Sequence, residues 1–198
     1  YDVIVVADEI HADLTFPSHK HTAIGSLDPR VITVSAPSKA FNIAGLFASY
    51  IICPVDEWRK QITKVQNKHH VLPTPFANTA IIAAYTDKRA EQWLDQLREE
   101  LEQQMSEVID SIETNLPMLR TARPEASYLL WIDFSELPMS AEERKSWLHQ
   151  DVRIFLSPGT PFGPQGEAFE RMNIGTRREL LDEAIQRLST QMKRKAFV

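Results

Sequence analysis

Three short stretches of this chain combine residue types that can do chemistry. Asp8-Glu9 directly follows an apolar run at 3–7, and His11 stands three residues after Asp8. In open α/β sheets, ligands sit beyond the carboxyl ends of buried strands, so a carboxylate and an imidazole there make a candidate site. Taken alone, Asp8 serves equally well as a cap for the next turn. The second stretch, Ser35-Ala36-Pro37-Ser38-Lys39, follows another apolar run at 31–35. Its two hydroxyls and its ammonium could hold an anion. A desolvated lysine also has a lowered pKa and attacks carbonyl groups. A solvated loop lysine is the commoner case, yet the bulky Phe41 and Ile43 that follow predict a buried Lys39. The third stretch is Phe169-Glu170-Arg171-Met172-Asn173. An arginine facing inward from an alternating strand needs a carboxylate, supplied by a ligand or by an internal ion pair.

Other polar groups point elsewhere. His69-His70 and His19-Lys20-His21 have no Cys, Asp or Glu at ligand spacing, so solvated histidines are expected and no metal site. Arg98-Glu99-Glu100 with Glu102 reads as an exposed helix face, and Cys53 before Pro54 as a buried apolar residue.

The elements that must position these residues follow from periodicity. Buried strands are expected at 3–7, 31–35 and 47–53, with Pro17, Pro29, Pro37 and Pro54 marking turns. A helix is expected at 58–66, and Pro73-Thr74-Pro75 opens another through residue 85, with Thr74 as its cap. From about 87 to 115, Trp93, Leu94, Leu97, Leu101, Met105, Val108, Ile109 and Ile112 recur at three- and four-residue steps, which predicts one long amphipathic helix. Strands at 127–134, 152–156 and 171–174, a capped helix at 140–149 and a final helix from 178 to about 193 complete the pattern. The segment between the last two strands is rich in Pro and Gly. The first part reads as α/β and the second as α+β with a mixed sheet, divided near residue 88.

The totals narrow the class. With 198 residues, 43% hydrophobic and 25% charged, the chain has ordinary globular composition. A net charge of -5 argues against nucleic acid as a partner. The longest apolar stretch, 43–53, falls short of the ~20 residues that a membrane span needs. One cysteine excludes an internal disulfide and fits a reducing, cytoplasmic setting. Tyr1-Asp2 running straight into Val3-Ile4-Val5-Val6 reads as a chain that opens inside a sheet core, as expected of a fragment.

Asp8-Glu9-Ile10-His11, then Ser38-Lys39-Ala40-Phe41-Asn42, then Phe169-Glu170-Arg171-Met172-Asn173, together form an ordered set spanning essentially the whole chain. The set resembles the C-terminal portion of fold-type-I pyridoxal 5'-phosphate (PLP) enzymes, the aminotransferase class I/II superfamily. Within it, the similarity is to the MalY/PatB type of cystathionine β-lyase. The resemblance implies an α/β fold: the last strands of a large, mostly parallel PLP-binding domain (1–88), then an α+β small domain (89–198) with a linking helix at about 87–115. It implies that Lys39 is joined covalently to PLP and later moves the proton at the substrate Cα. Asp8 would face the pyridine nitrogen, Ile10 would pack on the ring, and Ser38 would help hold the phosphate. His11 would stand near the phenolic oxygen, where many relatives carry tyrosine, and Arg171 would bind the substrate α-carboxylate. Ala36 departs from the aminotransferase pattern, which has serine there and so a further phosphate contact. Leu46 departs from it as well, standing where aminotransferases carry a phosphate-binding arginine, a departure shared with the lyases.

The activity implied is a carbon–sulfur β-lyase that cleaves cystathionine or cysteine S-conjugates to pyruvate, ammonia and a thiol, in a homodimer. An aminotransferase is the enzyme alternative, against which His11 and Leu46 argue. A regulatory module of the same fold is the non-catalytic alternative, against which the joint presence of Asp8 and Lys39 argues. The resemblance places the phosphate-cradling loop and the ring-stacking aromatic before Tyr1, so this portion by itself is expected to bind PLP poorly and to be inactive.

Overall fold

A computed structural model of the chain describes residues 3–195 and Phe197. Tyr1 and Asp2, which precede the first expected strand, lie outside the described residues. The chain divides into two compact units, Tyr1–Glu99 and Glu100–Val198. The expected boundary near residue 88 coincides with the start of the long helix; by compactness the division falls inside that helix.

In the first unit, β1 (Val6–Asp8) pairs in parallel with β2 (Ile32–Ser35), from Val6 opposite Ile32 to Asp8 opposite Val34. β3 (Tyr50–Ile52) runs antiparallel on the other side of β2. The expected mostly parallel sheet is therefore realised here as one parallel and one antiparallel pairing. The expected strand at 47–53 is shortened because Phe47 takes a left-handed conformation, φ 52°, and lies exposed. The run at 3–7 also departs from expectation. Of its residues only Ala7 is buried; Val3 is 69% and Val6 59% exposed. β1 is the edge of this sheet, and among its residues only Ala7 is covered.

Two helices follow. α1 (Asp56–Lys68) carries Asp56 and Glu57 in its first turn, where the helix dipole favours negative charge. α2 (Pro75–Thr86) starts as expected: Thr74 Oγ1 accepts from the Ala77 amide at 3.1 Å and Pro75 occupies the first turn. The long helix α3 (Lys88–Asn115) begins at Asp87, whose carboxylate accepts from the Arg89 amide at 2.8 Å.

The second unit is built on a four-stranded sheet in the order β4 (Arg120–Thr121), β5 (Leu129–Asp133), β7 (Phe169–Asn173), β6 (Ser157–Pro158). All three pairings are antiparallel, not mixed as expected. α4 (Ala141–Trp147) opens with a capping box between Ser140 and Glu143. α5 (Arg178–Arg194) buries Leu181, Ile185, Leu188 and Met192, and α3 buries Leu101, Met105, Val108, Ile109 and Ile112. Gln104 of α3 ties into this core by donating to the carbonyls of Ile174 and Thr176.

The strand expected at 152–156 is absent. Residues Leu148–Val152 form one wide π turn continuing α4, and Arg153 closes it with φ 61°. The Ile154 amide reaches back to the Leu148 carbonyl at 3.0 Å, so the backbone groups a strand would use are spent on the helix end. The alternation read as a strand arises because Val152 and Ile154 are buried while Arg153 and Phe155 are exposed. Among the described residues no helix is long and apolar enough to cross a membrane.

Candidate active site

Parallel pairing of β1 and β2 decides where the first two polar stretches lie. Both strands end at the same edge of the sheet, so Asp8–His11 and Ser35–Lys39 emerge side by side. Two hydrogen bonds lock the exits together: the Glu9 amide donates to the Val34 carbonyl at 2.9 Å, and Ser35 Oγ donates to the Glu9 carbonyl at 3.2 Å. Ser35 is thereby engaged structurally rather than as an anion ligand.

Asp8 does cap the next turn, since its Oδ1 accepts from the Ile10 amide at 3.1 Å. Its Oδ2 has no hydrogen-bond partner among the described residues, so the cap leaves half of the carboxylate available. Ile10 and His11 are half-buried, and the His11 carbonyl accepts from the Leu14 amide at 3.0 Å to start a short 3-10 turn, Ala12–Leu14. Glu9, which carried no expected role, anchors the following segment. Its Oε1 accepts from the Ile24 amide at 2.8 Å and its Oε2 contacts His21 Nε2 at 3.2 Å.

Lys39 is exposed, correcting the expectation of a buried lysine. The turn that carries it is anchored from below. Ala36 and Ala40 are buried, and the Phe41 and Ile43 amides donate to the carbonyls of Pro37 and Ser38 at 2.9 and 3.1 Å. The apolar neighbours thus bury the base of the turn and push the lysine out of it. Its ammonium has no ion pair or hydrogen bond to any described residue. Ser38 is half-buried on the same turn. Behind it, Phe41 stacks on Trp93 with centroids 5.7 Å apart and meets Tyr85 edge-on at 6.3 Å. Tyr85 donates to Asp13 Oδ2 at 2.8 Å, and burial, then the bonds to Tyr50 and Asp13, push its phenol well above the ordinary range.

Arg171 belongs to the second unit. It lies at the middle of β7, directly opposite Trp131 of β5 and Ser157 of β6. The internal ion pair considered for it is made instead by its neighbour. Glu170 points to the other face, where Arg144 Nε meets its Oε1 at 2.9 Å with both side chains almost wholly buried. Arg171 Nε is buried without a hydrogen-bond partner, and the guanidinium stands over the Phe162 ring, 4.8 Å from its centroid. Of the three buried side-chain polar atoms left unpaired among the described residues, only this one belongs to a charged group. Such a group is costly to leave unpaired, and a bound carboxylate would satisfy it. Burial raises the Tyr128 phenol above its ordinary range, an effect that the nearby Arg171 charge partly offsets. Among the described residues no group of three or more His, Cys, Asp or Glu could hold a metal ion.

The model of the aminotransferase class I and II family matches residues 1–188. Cystathionine beta-lyase PatB of Bacillus subtilis is 38% identical over 97% of this chain and 50% of its own length. Aromatic-amino-acid aminotransferase 2 of Thermococcus litoralis is 26% identical over the whole of this chain and 51% of its own. Among solved structures, cystalysin of Treponema denticola, which contains a pyridoxal 5'-phosphate cofactor, superposes with a TM-score of 0.92 at 32% identity. That superposition covers 97% of this chain and 50% of cystalysin. The chain therefore spans about half the length of the relatives it matches. It belongs to the aminotransferase class I and II family.

Proposed function

We propose that this chain is the catalytic-lysine-bearing part of a PLP-dependent carbon–sulfur β-lyase acting on cystathionine or a cysteine S-conjugate. The observation that carries the reading is the shared sheet edge, from which the stretches bearing Asp8 and Lys39 both emerge, with one Asp8 carboxylate oxygen left uncommitted. These residues fit PLP: a carboxylate for the ring nitrogen, an amine for the aldehyde, and Ser38 for the phosphate. Bound PLP supplies an electron sink for the charge left at the substrate Cα. Asp8 would keep a proton at the pyridine nitrogen, and Ile10 would pack on the ring. His11 would stand by the phenolic oxygen. Lys39 would take the proton from Cα, after which the Cβ–S bond breaks and the thiolate leaves. Arg171 would hold the α-carboxylate through two parallel hydrogen bonds. Hydrolysis of the remaining three-carbon fragment by water then gives pyruvate and ammonia. His11 and Leu46, together with the likeness to PatB and cystalysin, favour the lyase over the aminotransferase that the Thermococcus likeness allows. A cytoplasmic homodimer, with a PLP-domain portion at 1–88 and a small domain at 89–198, completes the reading.

The test is an absorbance spectrum of the full-length protein with PLP, before and after borohydride, beside its Lys39→Ala variant. The expected outcome is a visible band that reduction fixes onto Lys39 and that the variant lacks, with thiol and pyruvate released from L-cystathionine. No Lys39-dependent adduct at saturating PLP would end the catalytic reading. Amino-group transfer to a keto acid without thiol release would replace the lyase by the transaminase.

A further inference from the structure

Arg171 is held by more than its strand. Its guanidinium rests on Phe162, 4.8 Å from the ring centroid. Phe162 meets Trp131 edge-on at 5.3 Å, and Trp131 packs edge-on against Phe169 at 5.8 Å. Because Trp131 lies directly across from Arg171, the two side chains rise from the same face of the sheet. The arginine thus sits in an aromatic bracket, while the carboxylate nearest in sequence, Glu170, is engaged by Arg144 on the opposite face. No described carboxylate neutralises Arg171.

The loop that presents Phe162 is tied down by backbone contacts. Residues Thr160–Phe162 form a 3-10 turn with Pro161 inside it, and the Phe162 amide donates to the Gly159 carbonyl at 2.9 Å. The Gly159 amide is pinned to the Phe169 carbonyl of β7 at 2.9 Å. Gly159 and Gly166 close the loop so tightly that a Cβ on Gly159 would lie 2.2 Å from the Gly166 carbonyl oxygen. Gly163, at φ 128°, makes the exit turn that other residues rarely adopt. The backbone that presents the ring is therefore tied to the same strand that carries Arg171.

We propose that Phe162 is a positioning residue for Arg171, fixing the plane of the guanidinium and keeping water off one face so that its remaining donors meet a substrate carboxylate. The proposal rests on the carboxylate reading of Arg171 given above. A ring over a partly desolvated guanidinium strengthens its hold by an amount that corresponds to about 3- to 10-fold in affinity. Phe162 is 56% exposed, so it contributes little to the core and its replacement is expected to leave the fold intact.

The experiment compares full-length wild type with Phe162→Leu, Phe162→Tyr and Arg171→Lys, using L-cystathionine as substrate. Each protein is labelled with 15N-arginine, so that the Arg171 Nε–H signal, assigned by its loss in Arg171→Lys, reports the contact directly. The expected result for Phe162→Leu is a KM raised about 3- to 10-fold with kcat within about twofold, and a downfield move of the Nε–H proton as the ring current is lost. Phe162→Tyr, which keeps the ring, restores both readouts. An unchanged KM and an unmoved Nε–H in Phe162→Leu, with KM still raised in Arg171→Lys, overturns the proposal and leaves the carboxylate reading standing. An unchanged KM in Arg171→Lys overturns both.

Discussion

At the scale of single residues, the chain separates two arginines that its sequence makes hard to tell apart. Arg144 and Glu170 are paired in the core, 4% and 3% exposed, and Arg144 also donates to the Glu167 carbonyl. Removing one partner leaves the other charged, buried and unpaired, which costs about 3–5 kcal/mol. Arg144→Met is thus expected to lower the denaturant midpoint strongly, and Arg144→Met with Glu170→Leu to recover much of the loss. If the single variant unfolds no earlier than wild type, the pair is not a structural anchor. Arg171, one residue along the same strand, is the contrasting case. Its unpaired Nε contributes nothing to a core, and its variants should alter ligand binding rather than stability. Alternation along β7 sends the two neighbours Glu170 and Arg171 to opposite faces, and the face decides their tasks.

At the scale of elements, the helix starts carry testable chemistry. Asp87 receives the Arg89 amide at 2.8 Å and the Arg89 guanidinium through both carboxylate oxygens, at 3.2 and 2.7 Å. These bonds, led by the guanidinium contact, lower its pKa to about 2. Because the folded value is depressed, its contribution to α3 is present above about pH 4, the range of an unfolded aspartate, and is lost as pH falls through about 2. Helicity followed by circular dichroism should decline over that window in wild type and show a flatter decline in Asp87→Asn. Identical acid limbs in the two proteins would remove Asp87 as the cap. Thr74 and Ser140 were readable as caps because a hydroxyl at the turn before a helical pattern has one dominant use. The missing strand at 152–156 shows where such reading fails. Two buried residues separated by one exposed residue fit both a strand and a chain wrapping off a helix end, and only the Leu148 carbonyl, taken by Ile154, decides between them.

At the scale of the whole molecule, large buried side chains are unevenly shared. The second unit buries Leu116, Leu130, Ile132, Phe134, Leu148, Ile174, Leu181, Leu188 and Met192 almost completely. In the first unit the buried set is Leu14, Phe16, Val31, Cys53 and several alanines, while Val3, Phe47, Phe76 and Ile82 stay exposed. Amide protection follows burial of the supporting core. Hydrogen exchange of the 198-residue chain is therefore expected to be slowest in β5, β7, α5 and the second half of α3. It should be much faster in β1 and α2. Equal protection across the two units would contradict this division.

The sequence by itself determined the elements whose signal is local: the caps at Thr74 and Ser140, the 28-residue helix Lys88–Asn115, and the order of the motifs around Asp8, Lys39 and Arg171. Hydrophobic period and capping chemistry act within a few residues, so they survive in one dimension. Tertiary structure fixed the register in which β1 and β2 pair, and it alone decided that β3 joins them antiparallel. It decided that Glu170 is used by Arg144, and that Phe162 lies against Arg171. It also decided that Lys39 is exposed and that residues 3–6 of the first apolar run are exposed while Ala7 is buried. Apolar composition states that a surface suits burial; which residues cover it, and which partner a charge finds, depend on groups distant in sequence and near in space.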